Sequence, residues 1–188
     1  ENGDIFFQHR EACNEYYNAI PGIVEEYMDK VNEKIGTNYK LFNYYGAPDA
    51  ETVMVAMGSV CDAAEEVVDY MNAKGEKVGL VKVHLYRPFA SDRFVAALPA
   101  TVKNVVVMDR CKDPSAIGEP LYLDVVASLA GSTLAGVKVV GGRYGLGSKD
   151  TTPGGILAAF RNGQNEAPVR SFTINIEDDV THRSLPIV

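Results

Sequence analysis

The strongest constraint on the fold is an alternation of short apolar runs with stretches of helical composition. The apolar runs are residues 52–57, 77–85, 104–108 and 137–140. The helix-like stretches between and after them are residues 61–73, 88–98, 120–129 and 154–160. Apolar runs suit strands that are buried on both faces, and strands alternating with helices indicate βαβ units. We therefore predict a three-layer α/β/α fold with a mostly parallel sheet.

Three further segments extend this pattern. Residues 11–35 carry apolar side chains spaced by three and four, which predicts helix. Pro21 interrupts that stripe and suits a first turn better than a helix interior, so we expect two helices or one kinked helix, with Gly36 as the C-cap. Residues 41–45 form a short aromatic strand or extended segment. Residues 169–176 alternate in polarity, which predicts an edge strand.

Composition and charge exclude several classes of protein. The chain has 188 residues with 46% hydrophobic and 23% charged residues, which is typical of about one globular domain. Its 18 basic and 25 acidic residues give a net charge of −7, which argues against binding to nucleic acid or a membrane surface. The apolar runs are too short to span a bilayer, and residues 1–10 are too polar for a signal peptide.

The cysteines and histidines do not indicate a redox or metal centre. Cys13, Cys61 and Cys111 have no CxxC spacing, so we predict neither a disulfide framework nor a zinc site, and three scattered cysteines do not ligate a four-cysteine cluster. A cytoplasmic location follows as the expectation. Cys111 lies between two bases but has no histidine nearby in sequence, so we predict no catalytic thiol. The acidic residues 177–182 lack EF-hand spacing, which favours an acidic turn over a cation site.

A glycine-rich loop at residues 142–149 follows a predicted strand and precedes a predicted helix. Backbone N–H groups of such loops can approach an anion, and Lys149 would add a positive charge. The order Gly147-Ser148-Lys149 differs from the Gly-Lys-Ser/Thr order of a P-loop. The loop is therefore either a tight structural turn or a weaker anion or cofactor contact.

Four basic residues follow predicted strands and should gather at one edge of the sheet. In open α/β sheets, ligands bind outside the carboxyl ends of the strands. The four residues are Arg87, Arg110, Arg143 and Lys149. They could contact an anionic ligand there. The alternative is that they fix loops through ion pairs with acidic neighbours, namely Asp109, Asp113, Glu119 and Asp150.

Seven short segments, taken in order, resemble the pyruvate:ferredoxin (flavodoxin) oxidoreductase family over nearly the whole chain. These segments are residues 46–51, 56–61, 85–89, 108–110, 118–125, 142–150 and 178–181. The resemblance is to the second domain of that large enzyme, which is similar to the C-terminal domain of transketolase. It implies a helical linker or cover at residues 1–45 and a transketolase C-terminal-like α/β domain at residues 46–188.

The resemblance also implies a function for the whole enzyme, which converts pyruvate and coenzyme A to acetyl-CoA and carbon dioxide. Thiamine diphosphate, magnesium and 4Fe-4S clusters carry that reaction, and ferredoxin or flavodoxin accepts the electrons. For this segment we expect no bound cofactor, no metal and no catalytic residue. Its expected partners are sister domains of the same polypeptide in a homodimeric enzyme.

The resemblance further suggests a ligand contact for the glycine-rich loop. Gly147, Ser148, Lys149 and Arg143 are the candidate contacts to a coenzyme A phosphate. The alternative function is an independent phosphate- or nucleotide-binding module that uses residues 142–149.

Overall fold

The computed structural model describes residues 2–187, which form one six-stranded sheet with helices on both faces. The strands are β1 (Phe42–Gly46), β2 (Thr52–Ala56), β3 (Val78–Val83), β4 (Asn104–Asp109), β5 (Lys138–Arg143) and β6 (Phe172–Thr173). The helices are α1 (Gly3–Ala12), α2 (Asn14–Ile35), α3 (Val60–Ala73), α4 (Ser91–Ala97), α5 (Pro120–Ala130) and α6 (Pro153–Gln164). A short 3-10 helix, Leu146–Ser148, precedes α6.

The sheet is parallel except at one edge. Its strand order is β1-β3-β2-β4-β5-β6, and only β1 runs antiparallel to its neighbour. The central apolar runs all enter this sheet, with Met54 opposite Val106 and Val106 opposite Val140. The prediction of a mostly parallel sheet built from these runs is confirmed.

Alternate residues of the central strands face two separate hydrophobic cores. Met54 and Val106 pack with α3 and α6 on one face. Val53, Val55 and Val105 pack with α4 and α5 on the other. Successive side chains of a strand point to opposite faces, so a run that is apolar at every position is covered on both sides. The three-layer α/β/α prediction is confirmed.

The N-terminal helices differ from the expectation in where they are divided. The break falls at Cys13, and Pro21 lies inside α2, so the assignment of Pro21 to a first turn is wrong. A proline withholds one hydrogen bond from the carbonyl four residues before it, here that of Tyr17. Tyr17 is exposed, where water can satisfy that carbonyl, and α2 continues. Gly36 ends α2 with φ 70°, as predicted for the C-cap.

Both outer strands differ in extent from their predicted segments. β1 begins at Phe42 and pairs with β3, so the predicted division of the chain between residues 45 and 46 falls inside this strand. That division stays a prediction. β6 is an edge strand, as expected, but it comprises only two residues of the segment 169–176. Ser171 and Asn175, on either side of it, have positive φ values, which no regular strand accommodates.

Among residues 2–187, no helix has both the length and the apolar character needed to cross a bilayer.

Candidate functional site at the carboxyl ends of the strands

A cleft of about 670 Å³ opens at the carboxyl ends of the parallel strands. Its walls come from segments that directly follow β2, β3, β4 and β5, and include Met57, Ser59, Tyr86, Arg110, Tyr144 and Lys149. The first turn of α3 also borders it, at Val60. This is the edge where the strand pattern predicts ligand binding.

Two cations line this cleft without a carboxylate partner in the described part of the chain. Arg110 donates from Nε to the Gly145 carbonyl oxygen at 2.8 Å. Lys149 is exposed and takes part in no ion pair among residues 2–187. Asp150 also lines the cleft, but within that range its carboxylate bridges to neither cation. Arg110 and Lys149 therefore provide two cations that form no ion pair with a described residue, although the carboxylates of Asp109 and Asp150 line the same cleft and the chain has a net charge of −7.

The glycine-rich loop is a tight turn that places Lys149 at the same cleft as Arg110. Gly145, Gly147 and Ser148 all have left-handed φ values, of 66°, 59° and 61°. A side chain at Gly145 would put its Cβ 3.1 Å from Arg110 Nε, so glycine there permits the close approach of the arginine. The structural-turn interpretation is thus correct for the backbone, and Gly147, Ser148 and Lys149 are exposed on it.

Asp109 lies at the floor of the cleft and has a structural role there. Its Oδ1 accepts from the Leu121 N–H at 3.0 Å and its Oδ2 accepts from the Tyr122 N–H at 3.1 Å. These are unpaired donors of the first turn of α5, so the carboxylate caps that helix. Burial raises the pKa of Asp109, and the two backbone donors partly oppose this shift. The expected ion pair of Asp109 with a basic neighbour is replaced by this helix cap.

Arg87 fixes a loop. Its Nη1 lies 2.5 Å from Asp124 Oδ2, on α5, and its guanidinium stacks 3.9 Å from the centre of the Tyr86 ring. The alternative in which a basic residue fixes a loop is therefore correct for Arg87. The partner of Arg87 is Asp124, which is not one of the four acidic residues predicted from sequence. Tyr86, which the sequence reasoning passed over, lines the cleft itself.

Arg143 points into the protein. Its side chain is only 9% exposed and donates to Glu119 Oε1 at 3.3 Å and to the Ser171 carbonyl oxygen at 2.8 Å. Glu119 is 4% exposed, so this is a buried ion pair that ties β5 to the start of α5. Contact of Arg143 with a coenzyme A phosphate stays a prediction. Arg110 and Lys149, unlike Arg143, are exposed and line the cleft.

The remaining candidates have structural surroundings. Asp178 accepts from the N–H groups of Val180 and Thr181 and from the Thr181 hydroxyl, which lowers the pKa of Asp178 to about 2. This is the turn that the acidic-turn interpretation predicts. Cys61 lies at the start of α3, where burial raises the pKa of its thiol to about 11. Tyr144, missed from sequence, is buried beside the cleft, and its hydroxyl lies 3.5 Å from the Met57 carbonyl oxygen.

Fold and site together define an α/β domain with a cation-lined cleft at the carboxyl ends of its parallel strands. Residues 50–156 match the family model described as pyruvate:ferredoxin oxidoreductase core domain II. The match spans more than half of the chain, and the chain belongs to this family. The resemblance found in the seven sequence segments is confirmed.

Similar proteins are much longer than this chain. A pyruvate:ferredoxin oxidoreductase of Moorella thermoacetica is 53% identical over 187 residues, covering 100% of this chain and 16% of the relative. A pyruvate-flavodoxin oxidoreductase of Enterobacter agglomerans is 51% identical over 187 residues, with the same two coverages. A mitochondrial NADP(+) pyruvate dehydrogenase of Euglena gracilis is 50% identical over 189 residues, which are 100% of this chain and 10% of that protein.

This chain is also 20% identical in sequence to a protein of solved structure. That protein is a 2-oxoglutarate:ferredoxin oxidoreductase from Magnetococcus marinus with 2-oxoglutarate, coenzyme A and succinyl-CoA bound. It matches with a TM-score of 0.43 over 63% of this chain and 19% of that one. This chain spans about one sixth of the length of the first curated relatives.

The cytoplasmic location of the protein stays a prediction.

Proposed function

We propose that this chain is a non-catalytic structural and interface domain of a pyruvate:ferredoxin (flavodoxin) oxidoreductase. The whole enzyme would oxidatively decarboxylate pyruvate with coenzyme A to acetyl-CoA and carbon dioxide and pass the electrons to ferredoxin or flavodoxin. The observation that carries this proposal is identity above 50% along the entire chain to two relatives with these names, of which the chain covers only 16%.

The structural use of the charged residues supports this role. Asp109 caps α5, Arg87 pairs with Asp124, and Arg143 pairs with Glu119. A general acid or base must be able to reach a reacting group, whereas these side chains are engaged with their own fold. The cleft then offers positive charge from Arg110 and Lys149, which is suited to binding.

The residues of this segment do not fit the cofactors that the family implies. Cys13 lies between α1 and α2, Cys61 on α3, and Cys111 after β4, so no pair of them comes from the same element. The raised pKa of Cys61 disfavours the thiolate that an iron–sulfur cluster requires. We infer that other domains of the polypeptide hold thiamine diphosphate, magnesium and the 4Fe-4S clusters, in an enzyme that is a homodimer.

We further propose that the cleft contacts a phosphate group of coenzyme A through Lys149, with Gly147 and Ser148 beside it. Arg110 supplies a second positive charge, and α3 begins at the same cleft, where its N-terminal dipole favours an anion. The alternative of an independent nucleotide-binding module uses the same loop. The match of residues 50–156 to one domain of a longer enzyme favours the coenzyme A role.

The domain role is tested by comparing the full-length enzyme with the isolated 188-residue chain. With thiamine diphosphate, magnesium, pyruvate, coenzyme A and oxidised ferredoxin or flavodoxin as the electron acceptor, the full-length enzyme should release carbon dioxide, form acetyl-CoA and reduce the acceptor. The isolated chain should do neither. Thiamine-dependent turnover by the isolated chain would overturn the non-catalytic role, and a full-length enzyme inactive toward pyruvate would overturn the family's activity for this protein.

The ligand role is tested by Lys149→Ala in the full-length enzyme. The KM for coenzyme A should rise about 5- to 30-fold, because a charge-assisted contact contributes about 1 to 2 kcal/mol. Lys103→Ala is the matched control: it removes the same charge at the opposite end of the sheet, where Lys103 pairs with Glu51 at 2.9 Å. An equal KM in both variants would show that Lys149 does not contact coenzyme A.

A further inference from the structure

The two N-terminal helices carry large apolar side chains that the rest of the described chain does not cover. We call this surface the α1–α2 face. It comprises Phe6, Phe7, Tyr16, Tyr17, Ile23, Tyr27, Val31 and Ile35, which are between 43% and 75% exposed. No residue of α1 or α2 is fully buried. Exposed apolar residues scattered singly are ordinary on a protein, but eight of them on two successive helices indicate an interaction surface.

The helix α2 touches the sheet domain along one flank only. Val24 and Met28 pack against the core beneath α4, and Glu25 lies 3.4 Å from Arg93 of α4. At 100° per residue, Tyr16 lies about 100° and Tyr27 about 80° around the helix axis from the mean direction of Val24 and Met28. The apolar arc of α2 is therefore wider than the part that packs against the sheet domain. The flank that carries Tyr16 and Tyr27 packs against no other element among residues 2–187.

The uncovered flank has the shape of a binding groove. Ile23, Tyr27 and Val31 border an open concave space of about 410 Å³, which Val24, Met28 and Tyr39 also line. The wall is formed entirely by apolar and aromatic residues. Glu26 and Lys30, paired at 2.5 Å, lie at its edge, as polar residues do at the rim of an interface.

The size and composition of the face match a permanent interface. Five of its members are aromatic, and at 150–250 Å² per ring their exposed portions add up to about 600 Å². The aliphatic members bring the patch close to the roughly 800 Å² that each partner contributes to a standard interface. Aromatic enrichment is characteristic of interface cores, and obligate contacts are the more hydrophobic ones.

We propose that the α1–α2 face is covered by an apolar surface of another domain of the same polypeptide. This inference rests on the proposed function, because the relatives carry about five-sixths of their length outside the matched segment. A tethered domain meets this face at an effective concentration on the order of millimolar, which favours it over a separate molecule. A second copy of the enzyme that covers the face is the competing outcome.

The test is hydroxyl-radical footprinting of the full-length enzyme, with Tyr27 and Tyr16 compared with Tyr70. Tyr70 lies on α3 and is 49% exposed in this domain, against 62% for Tyr27, so an uncovered face would be oxidised at least as fast. Each rate is normalised to the same tyrosine in the enzyme unfolded in guanidinium chloride. We expect normalised oxidation of Tyr16 and Tyr27 at least about five-fold slower than that of Tyr70, since interface cores exclude solvent as interiors do.

Two further results decide the outcome. Ile23→Asp should restore oxidation of Tyr27, while Glu66→Ala, on an exposed site of α3, should leave it unchanged. Protection that disappears when the enzyme is diluted into monomers would assign the face to a second copy and overturn the inference, as would equal rates for Tyr27 and Tyr70. The readout is independent of turnover, so an enzyme that is active with pyruvate but shows equal rates contradicts only this inference.

Discussion

At the scale of single residues, the buried ion pair between Arg143 and Glu119 is the clearest stability prediction. Removing one partner leaves the other buried without compensation. Glu119→Ala should therefore lower the free energy of unfolding by about 3 kcal/mol or more, measured by urea denaturation of the 188-residue chain. Lys112, whose Nζ lies 4.0 Å from Glu119 Oε1, is itself a cation, so it cannot replace Glu119 as the partner of Arg143.

The double variant Glu119→Gln/Arg143→Met separates the pair from its surroundings. It removes both charges, so it should be less destabilised than Glu119→Ala by at least about 1 kcal/mol. A double variant that is more destabilised than the single variant would show that Arg143 acts mainly through its hydrogen bond to the Ser171 carbonyl.

Asp109 gives a prediction about pH dependence. Burial raises the pKa of Asp109 in the folded chain above its ordinary value, so between the two values the folded state binds more protons than the unfolded state. Stability from this group is therefore present at low pH and is lost as pH rises through the folded pKa. Asp109→Asn does not titrate, and its destabilisation relative to wild type should be smaller at pH 7 than at about pH 4.

Urea denaturation of both proteins at the two pH values measures this difference. A destabilisation by Asp109→Asn that grows with pH would mean that the two backbone N–H donors outweigh burial, and that the carboxylate is favoured as an ion.

At the scale of elements, Gly163 controls how closely α6 approaches the sheet. A Cβ at this position would lie 2.2 Å from Val106 Cγ2 on β4. Alanine has the better helix propensity, by about 1 kcal/mol, but overpacking a core costs about 1 to 3 kcal/mol. Gly163→Ala should therefore be destabilising on balance. Gly22→Ala, inside α2 with nothing within 4 Å of its added Cβ, is the matched control and should not destabilise the chain.

The element pattern could be predicted where burial on both faces imposes it. Residues 53–56 of β2 and 105–108 of β4 are all apolar because helices cover both sides of these strands. β6 could not be delimited, because two residues at a sheet edge carry little periodicity. The division at Cys13 and the continuity of α2 through Pro21 were mispredicted because these helices are held by few contacts, so sequence spacing alone did not locate the break.

The candidate site could be predicted in position but not in orientation. Placing Arg110 and Lys149 after strands correctly put both at the cleft. The same reasoning placed Arg143 there, but Arg143 ends β5 with its side chain directed to Glu119. The ion-pair alternative named Glu119 among the possible acidic partners and is correct for Arg143, but the sequence did not indicate which base Glu119 contacts, since the two residues are 24 positions apart. Position relative to a strand thus predicts the sheet edge, whereas the partner depends on tertiary packing.

At the scale of the whole molecule, we propose that this domain supplies charged groups at a cleft while other domains of the polypeptide carry out the chemistry. With a net charge of −7, the overall field of the chain would repel an anionic ligand, so its binding would depend on the local charges of Arg110 and Lys149. Attraction by Arg110 and Lys149 should then be visible as a dependence on salt, since screening weakens interactions between exposed charges.

The most direct test is kcat/KM for coenzyme A in the full-length enzyme as a function of ionic strength, for wild type and Arg110→Ala/Lys149→Ala. At about 0.01 M ionic strength, where the Debye length is about 30 Å, the variant should lose roughly 10-fold or more in kcat/KM. Its salt dependence should be flatter than that of wild type, and the loss should appear in KM rather than in kcat. Equal kcat/KM and equal salt dependence in the two enzymes, or a loss confined to kcat, would show that Arg110 and Lys149 do not bind coenzyme A.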